Sequence, residues 1–194
     1  TSFVLLGFYL GEHFTSATVV AIVLEAFYIS ELLLAPMVGG LSDRLGRKPF
    51  LISAPLIAGG AALFFLIATL LFPHPQNTPF DIHLLILLLM VLVGRLFEGA
   101  ATALNTPTSL GYITETVRGS DKARARVLTA FEVATVAGLA LAVPFGGEVS
   151  SLMGTWGFLV VLALHGINGI LIACFLKESP QRQAQVNTHR SLLG

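Results

Sequence analysis

From Pro49 to Phe80 the chain runs 32 residues without a single Asp, Glu, Lys or Arg. An apolar helix of about 20 residues crosses about 30 Å of hydrocarbon, and lipid admits only segments that satisfy their own backbone hydrogen bonds. The rest of the 194 residues has the same character. Hydrophobic residues make up 55% and charged residues 11%, with mean hydropathy +0.83 and a formal net charge of zero. A soluble domain carries about 25% charged residues. There are too few charges here to coat a globular surface, which excludes a disordered chain, a fibrous protein and a nucleic-acid-binding module. An all-α, multi-pass membrane protein remains. The single cysteine, Cys174, permits no intrachain disulfide framework.

The apolar segments divide the chain. Residues 1–11 are apolar but too short to span, and no charged n-region or cleavage site marks them as a signal peptide. They are expected to be the outer half of a helix whose start lies before Thr1. Full spans are expected at 17–39, 50–72, 83–106, 127–147 and 155–176, which makes six helices with the first one truncated. The run Pro73-His74-Pro75-Gln76-Asn77-Thr78-Pro79 breaks helical continuity between the third and fourth. Residues 1–178 thus read as one transmembrane bundle, and the polar stretch 179–194, opening with Ser179-Pro180, as the start of a linker.

Ten of the eleven basic residues fall in three places. Arg44, Arg47 and Lys48 follow the second span. Arg118, Lys122, Arg124 and Arg126 follow the fourth, and Lys177, Arg182 and Arg190 follow the sixth. The alternate loops, around 12–16, 73–82 and 148–154, hold no Lys or Arg. By the positive-inside rule the segments after spans two, four and six are expected in the cytoplasm of a plasma-membrane protein.

The basic segment between spans two and three reads Gly39-Gly40-Leu41-Ser42-Asp43-Arg44-Leu45-Gly46-Arg47-Lys48-Pro49. Gly39 permits close helix approach, Asp43 can cap a helix N-terminus, and Gly46 allows a reversal at positive φ. Arg47 and Lys48 can pair with nearby acids. This G-x-x-x-D-R-x-G-R-K pattern resembles the signature loop of the major facilitator superfamily. Three further matches follow in order: Gly94-Arg95-Leu96-Phe97-Glu98-Gly99-Ala100 resembles that family's helix-four motif, Tyr112-Ile113-Thr114-Glu115 the cytoplasmic end of helix four, and Lys177-Glu178-Ser179-Pro180 the exit from helix six. The resemblance implies the N-terminal six-helix half of a twelve-helix transporter. It also implies a relay in which Arg44 or Arg47 reaches Glu115, with Arg118 and Arg124 as competing partners.

Within span four, Arg95 is the only basic residue inside the membrane, where a central arginine is unfavourable by about 2.5–3.5 kcal/mol and should face protein or water. Steps of 100° put Arg95, Glu98, Gly99, Thr102 and Thr106 on one face, with Asn105 at its edge. One polar stripe on an apolar helix reads as a cavity wall, and the resemblance implies proton coupling for the arginine. The candidate coupling set is Arg95, Glu98, Thr102 and Glu132. Glu132 is either a protonatable group or a side chain that snorkels to Arg126. His165 and Asn168, one turn apart in span six, are expected to hydrogen-bond between helices. Pro144-Phe145-Gly146-Gly147 partly resembles the family's antiporter motif, but Val143 stands where that motif has glycine and only one residue separates Pro144 from Gly146. Packing is therefore an equal expectation for Pro144, Gly146 and Gly147, as it is for Gly99.

No phosphate-binding G-x-x-x-x-G-K-[S/T], no H-E-x-x-H and no G-x-S-x-G occurs. The expectation is a secondary transporter of a small solute, proton-coupled and working by alternating access. It is not an enzyme and needs no cofactor or metal. Its partners are the bilayer, protons, the solute and a second six-helix half, and no nucleic acid. A uniporter or drug exporter of the same family, or a non-transporting receptor or scaffold on the same fold, are the alternatives.

Overall fold

The computed structural model describes residues 2–13, 16–72, 82–117 and 120–178. These form six α-helices: α1 (Ser2–His13), α2 (Ala17–Leu45), α3 (Arg47–Leu71), α4 (Ile82–Thr116), α5 (Asp121–Met153) and α6 (Gly157–Phe175). A 3-10 turn, Gly154–Trp156, joins α5 to α6, and no strand occurs among the described residues. Ala17–Leu45, Arg47–Leu71, Ile82–Thr116 and the α5–α6 stretch Asp121–Phe175 are long and apolar enough to cross a membrane. Ser2–Gly11 is apolar but shorter.

α4 lies between α2 and α3, and α6 packs on α3. Small residues set these crossings. A Cβ at Gly99 would stand 2.1 Å from the backbone carbonyl oxygen of Phe27, so α2 and α4 meet there backbone to backbone. A Cβ at Gly94 would stand 2.2 Å from the ring of Phe65, which fills the notch from α3. Phe65 in turn faces Phe158 of α6 with ring centroids 5.8 Å apart. Leu6 and Leu10 of α1 and Leu87 and Val91 of α4 close the same buried core. Most of α5 is exposed, including Val133, Val136, Leu139 and Leu141.

The helices overrun the apolar segments that announce them. α2 continues through the signature segment to Leu45, so Gly39–Leu45 is helix rather than loop. α4 extends to Thr116 instead of 106, and α5 starts at Asp121 instead of 127 and ends at Met153 instead of 147. Hydropathy marks the part of a helix that suits hydrocarbon, whereas the backbone ladder continues wherever capping and propensity allow. Ser120 caps α5 by accepting from the Ala123 N–H at 3.3 Å. Pro36, Pro55, Pro107 and Pro144 all sit inside helices. The proline-rich run 73–79, the residue Arg118 and the linker 179–194 lie outside the described residues.

Candidate functional site

Two polar clusters interrupt the apolar bundle, at Arg47 and at Arg95. The 20 residues of α4 that separate Arg95 from Glu115 place the clusters about 30 Å apart along the helix.

The first cluster is built on Gly46, the single residue between α2 and α3. Its φ of 101° lies in the region that favours glycine, and its N–H donates to the Ser42 carbonyl at 3.0 Å. This tight junction starts α3 at Arg47 and turns that side chain into the bundle. Arg47 Nε and Nη2 donate to Glu115 Oε1 at 3.0 and 2.7 Å, and Nη1 donates to Ser42 Oγ at 3.1 Å. Nη2 also pairs with Asp43, one turn earlier on α2. Arg47 and Glu115 are 8% and 9% exposed, while the Asp43 side chain is 57% exposed.

The exit of α6 completes the cluster. Glu178 Oε1 accepts from the backbone N–H groups of Arg47 and Lys48 at 3.1 and 3.3 Å, satisfying donors that a helix N-terminus leaves open. Lys48 Nζ donates to the Ala173 carbonyl at 3.0 Å. Of the two arginines expected to reach Glu115, Arg47 occupies the place and Arg44 is exposed at the end of α2. A Cβ on Gly39 would make ordinary contact with Pro107 of α4 at 3.9 Å.

The second cluster lies mid-way along α4. Arg95 and Glu98 are 4% and 9% exposed and pair through Nη1. Arg95 Nε and Nη2 both donate to the Leu24 carbonyl of α2, at 3.0 and 2.6 Å. The guanidinium carbon stands 5.6 and 5.0 Å from the ring centroids of Phe3 and Phe27. The charge is thus neutralised by one carboxylate, anchored on one carbonyl and flanked by two aromatic faces.

The pair lines a cavity of about 530 Å³ together with Thr102 and Asn105 of α4. His165 and Asn168 of α6 lie on the same wall, as do Phe3, Phe27 and Tyr28. The two α6 residues therefore face the cavity, whereas the sequence pointed to helix-to-helix bonding. Glu132 does not line this cavity; it is exposed on α5, with no ion pair to Arg126 among the described residues. Gly146 is buried and Pro144 exposed, and a Cβ on Gly147 would meet nothing within 4 Å. A Cβ would come within 3.0 Å of a neighbour at Gly99, among the residues expected to pack, and also at Gly94, Gly111 and Gly157. No group of three His, Cys, Asp or Glu able to hold a metal occurs among the described residues.

Ser42, the Leu24 carbonyl and Glu178 complete the two clusters without having been singled out from the sequence for these contacts. Ser42 carried a usable signal, since a hydroxyl one turn from a helix end and beside a required arginine can hold it. The Leu24 carbonyl carried none.

A sequence model described as Major Facilitator Superfamily matches residues 1–193. The chain is 28% identical over 163 residues to the tetracycline resistance protein, class C, of Escherichia coli, covering 83% of this chain and 35% of that protein. It is 26% identical over 132 residues to the bacillibactin exporter of Bacillus subtilis (strain 168), covering 68% of this chain and 30% of that protein. The chain thus spans about a third of the length of these curated relatives. No solved structure matches it significantly.

Proposed function

The chain belongs to the major facilitator superfamily, and from that premise we propose that it forms the N-terminal six-helix half of a proton-coupled secondary transporter of a small solute. In this reading α1 is the first span, and the positive φ of Gly154 with the 3-10 turn after it divides Asp121–Phe175 into spans five and six. The Arg47 cluster lies on the cytoplasmic side of the plasma membrane, a placement that the basic residues around it support. A second six-helix bundle completes the solute site, and transport proceeds by rocking of one bundle against the other. The bacillibactin exporter among the relatives favours outward movement of an organic solute.

The observation that carries the proposal is the Arg95–Glu98 pair on a cavity wall inside a membrane-spanning helix. Arginine keeps its charge in every environment, so only the carboxylate of this pair can exchange a proton. While the guanidinium stays on Glu98, the carboxylate is compensated. When solute or a conformational change draws Arg95 towards the cavity, the carboxylate loses its charged partner and becomes the group on which a proton takes that partner's place. Solute occupancy and protonation thereby compete. Glu98→Gln keeps the shape and removes the exchangeable proton. In proteoliposomes of the full-length protein it should retain solute exchange down a gradient and lose accumulation driven by an imposed pH gradient. Accumulation equal to wild type would show that Glu98 is not the coupling acid, leaving Glu132 as the next candidate.

A further inference from the structure

The Arg47–Glu115 pair depends on a residue with no side chain at all. Gly111 lies one helical turn before Glu115 on the same face of α4. A Cβ built on Gly111 would stand 2.2 Å from both Cζ and Nη1 of Arg47, and 2.4 Å from Nη2. The three nearest atoms thus all belong to the guanidinium, which lies directly against the α4 backbone before it reaches Glu115. Backbone conformation does not call for glycine here. Gly111 is within α4, and positive φ occurs only at Gly46 and Gly154 among the described residues. In a helix interior glycine is less favourable than alanine by about 1 kcal/mol, so what it supplies at this position is room.

Two other tight glycines, at the crossings of α4, differ in what they accommodate. Gly99 makes way for the Phe27 carbonyl, and Gly94 for the buried Phe65 ring. Those neighbours are fixed parts of the bundle. The neighbour of Gly111 is the far end of a flexible chain, which can swing away while the helices stay in place. A methyl group at 111 would therefore evict the guanidinium before it separated α3 from α4.

We infer that Gly111 is a positioning residue, whose missing side chain forms the slot that holds the Arg47 guanidinium on Glu115. The slot sets how firmly the α2–α3 junction is tied to the end of α4. Its consequence for transport rests on the proposed function, in which that tie stabilises one conformation of the transport cycle. The tie itself is a property of the fold and can be measured separately.

The test is a double-mutant cycle in the full-length protein, with Gly111→Ala, Glu115→Gln and the two combined. Unfolding temperature in detergent reads the tie, and solute flux in proteoliposomes reads its use. Gly111→Ala should lower the unfolding temperature by a few degrees in the wild-type background and leave it nearly unchanged beside Glu115→Gln. Flux should be equally non-additive. An unfolding effect of equal size in both backgrounds would overturn the slot, as would no effect in either. Coupling in unfolding with additive flux would uphold the slot and reject the transport role of the junction. If Gly111→Ala fails to reach the membrane, adding Arg47→Lys supplies the decision, because lysine carries no planar head to collide with the methyl. Recovery of membrane insertion by that second change supports the slot, and persistent failure overturns it.

Discussion

Arg47 and Glu115 stand 68 residues apart in the chain and 2.7 Å apart in space, both nearly inaccessible to solvent. Two nitrogens of the guanidinium share one carboxylate oxygen, and a third donates to Ser42. A buried pair of this kind is weak evidence for net stability, because desolvation offsets the attraction. Removing one partner is another matter, since it strands the other charge.

Arg47→Ala should therefore destabilise the protein by about 3–5 kcal/mol, the range for an uncompensated buried charge. Arg47→Lys keeps the charge but presents a compact ammonium in place of a planar fork. It cannot reach Glu115 and Ser42 with the same set of donors, so a smaller loss of about 1–3 kcal/mol is expected. Thermal unfolding of the purified variants should rank wild type above Arg47→Lys and Arg47→Lys above Arg47→Ala. Equal stability of lysine and arginine at this position would show that charge alone matters.

Asp43 touches the same guanidinium from a position open to solvent. An exposed pair contributes at most about 1 kcal/mol, so Asp43→Asn should insert and unfold almost as wild type does. Under the proposed function its carboxylate meets a helix N-terminus of the proposed second bundle, where loss of charge removes roughly 0.3–2 kcal/mol from one conformation of the proposed cycle. The expected outcome is normal folding with impaired flux in vesicles. Undiminished flux would reject that contact.

The contact of Arg47 with Glu115 was legible only through the resemblance of the motif, which left Arg44 as an equal candidate; the charges alone do not choose, since Arg44 at the same junction stays exposed. Arg95 and Glu98 were legible from the residues themselves, as a buried charge and an acid three residues apart on one helix face. Helix ends were not, because polar residues such as Asp43, Thr114 and Lys122 continue a helix past the hydrocarbon that hydropathy detects. The orientation of His165 was hidden as well. α6 is apolar nearly all round, so its rotation is decided by packing on α3 and not by any stripe of its own. Gly111 gave no local sign, since its role is set by a side chain on another helix.

The glycines at the helix crossings give a contrast that depends on packing alone. Gly99→Ala drives a methyl into the Phe27 carbonyl, a backbone atom that can yield only if α2 moves. Overpacking of this sort is unfavourable by about 1–3 kcal/mol or more. Gly94→Ala should behave alike through the Phe65 ring. Gly138→Ala and Gly147→Ala meet no atom within 4 Å and remove a poor helix former, so they should be neutral or slightly stabilising. Unfolding temperatures that fail to separate the two pairs of variants would show that α2 and α4 do not cross at the closeness described.

Arg95→Lys tests whether the second cluster holds helices together or responds to protons. As structural glue, any cation beside Glu98 would serve, and lysine should fold and transport normally. The geometry asks for more than a cation. Nε and Nη2 hold the Leu24 carbonyl while Nη1 holds Glu98, and the planar head stands near the rings of Phe3 and Phe27. An ammonium on a flexible stem can serve the carbonyl or the carboxylate, but not both with that alignment. If it stays on Leu24, Glu98 loses its partner in every conformation. If it stays on Glu98, the carboxylate is compensated throughout. Either way the alternation needed for coupling is lost, while the cavity keeps its shape and passive exchange continues. The expected signature is therefore uncoupling: exchange near the wild-type rate, with pH-driven accumulation reduced at least about tenfold, the equivalent of about 1.4 kcal/mol in coupling free energy. Full accumulation by Arg95→Lys would return the pair to a purely structural role.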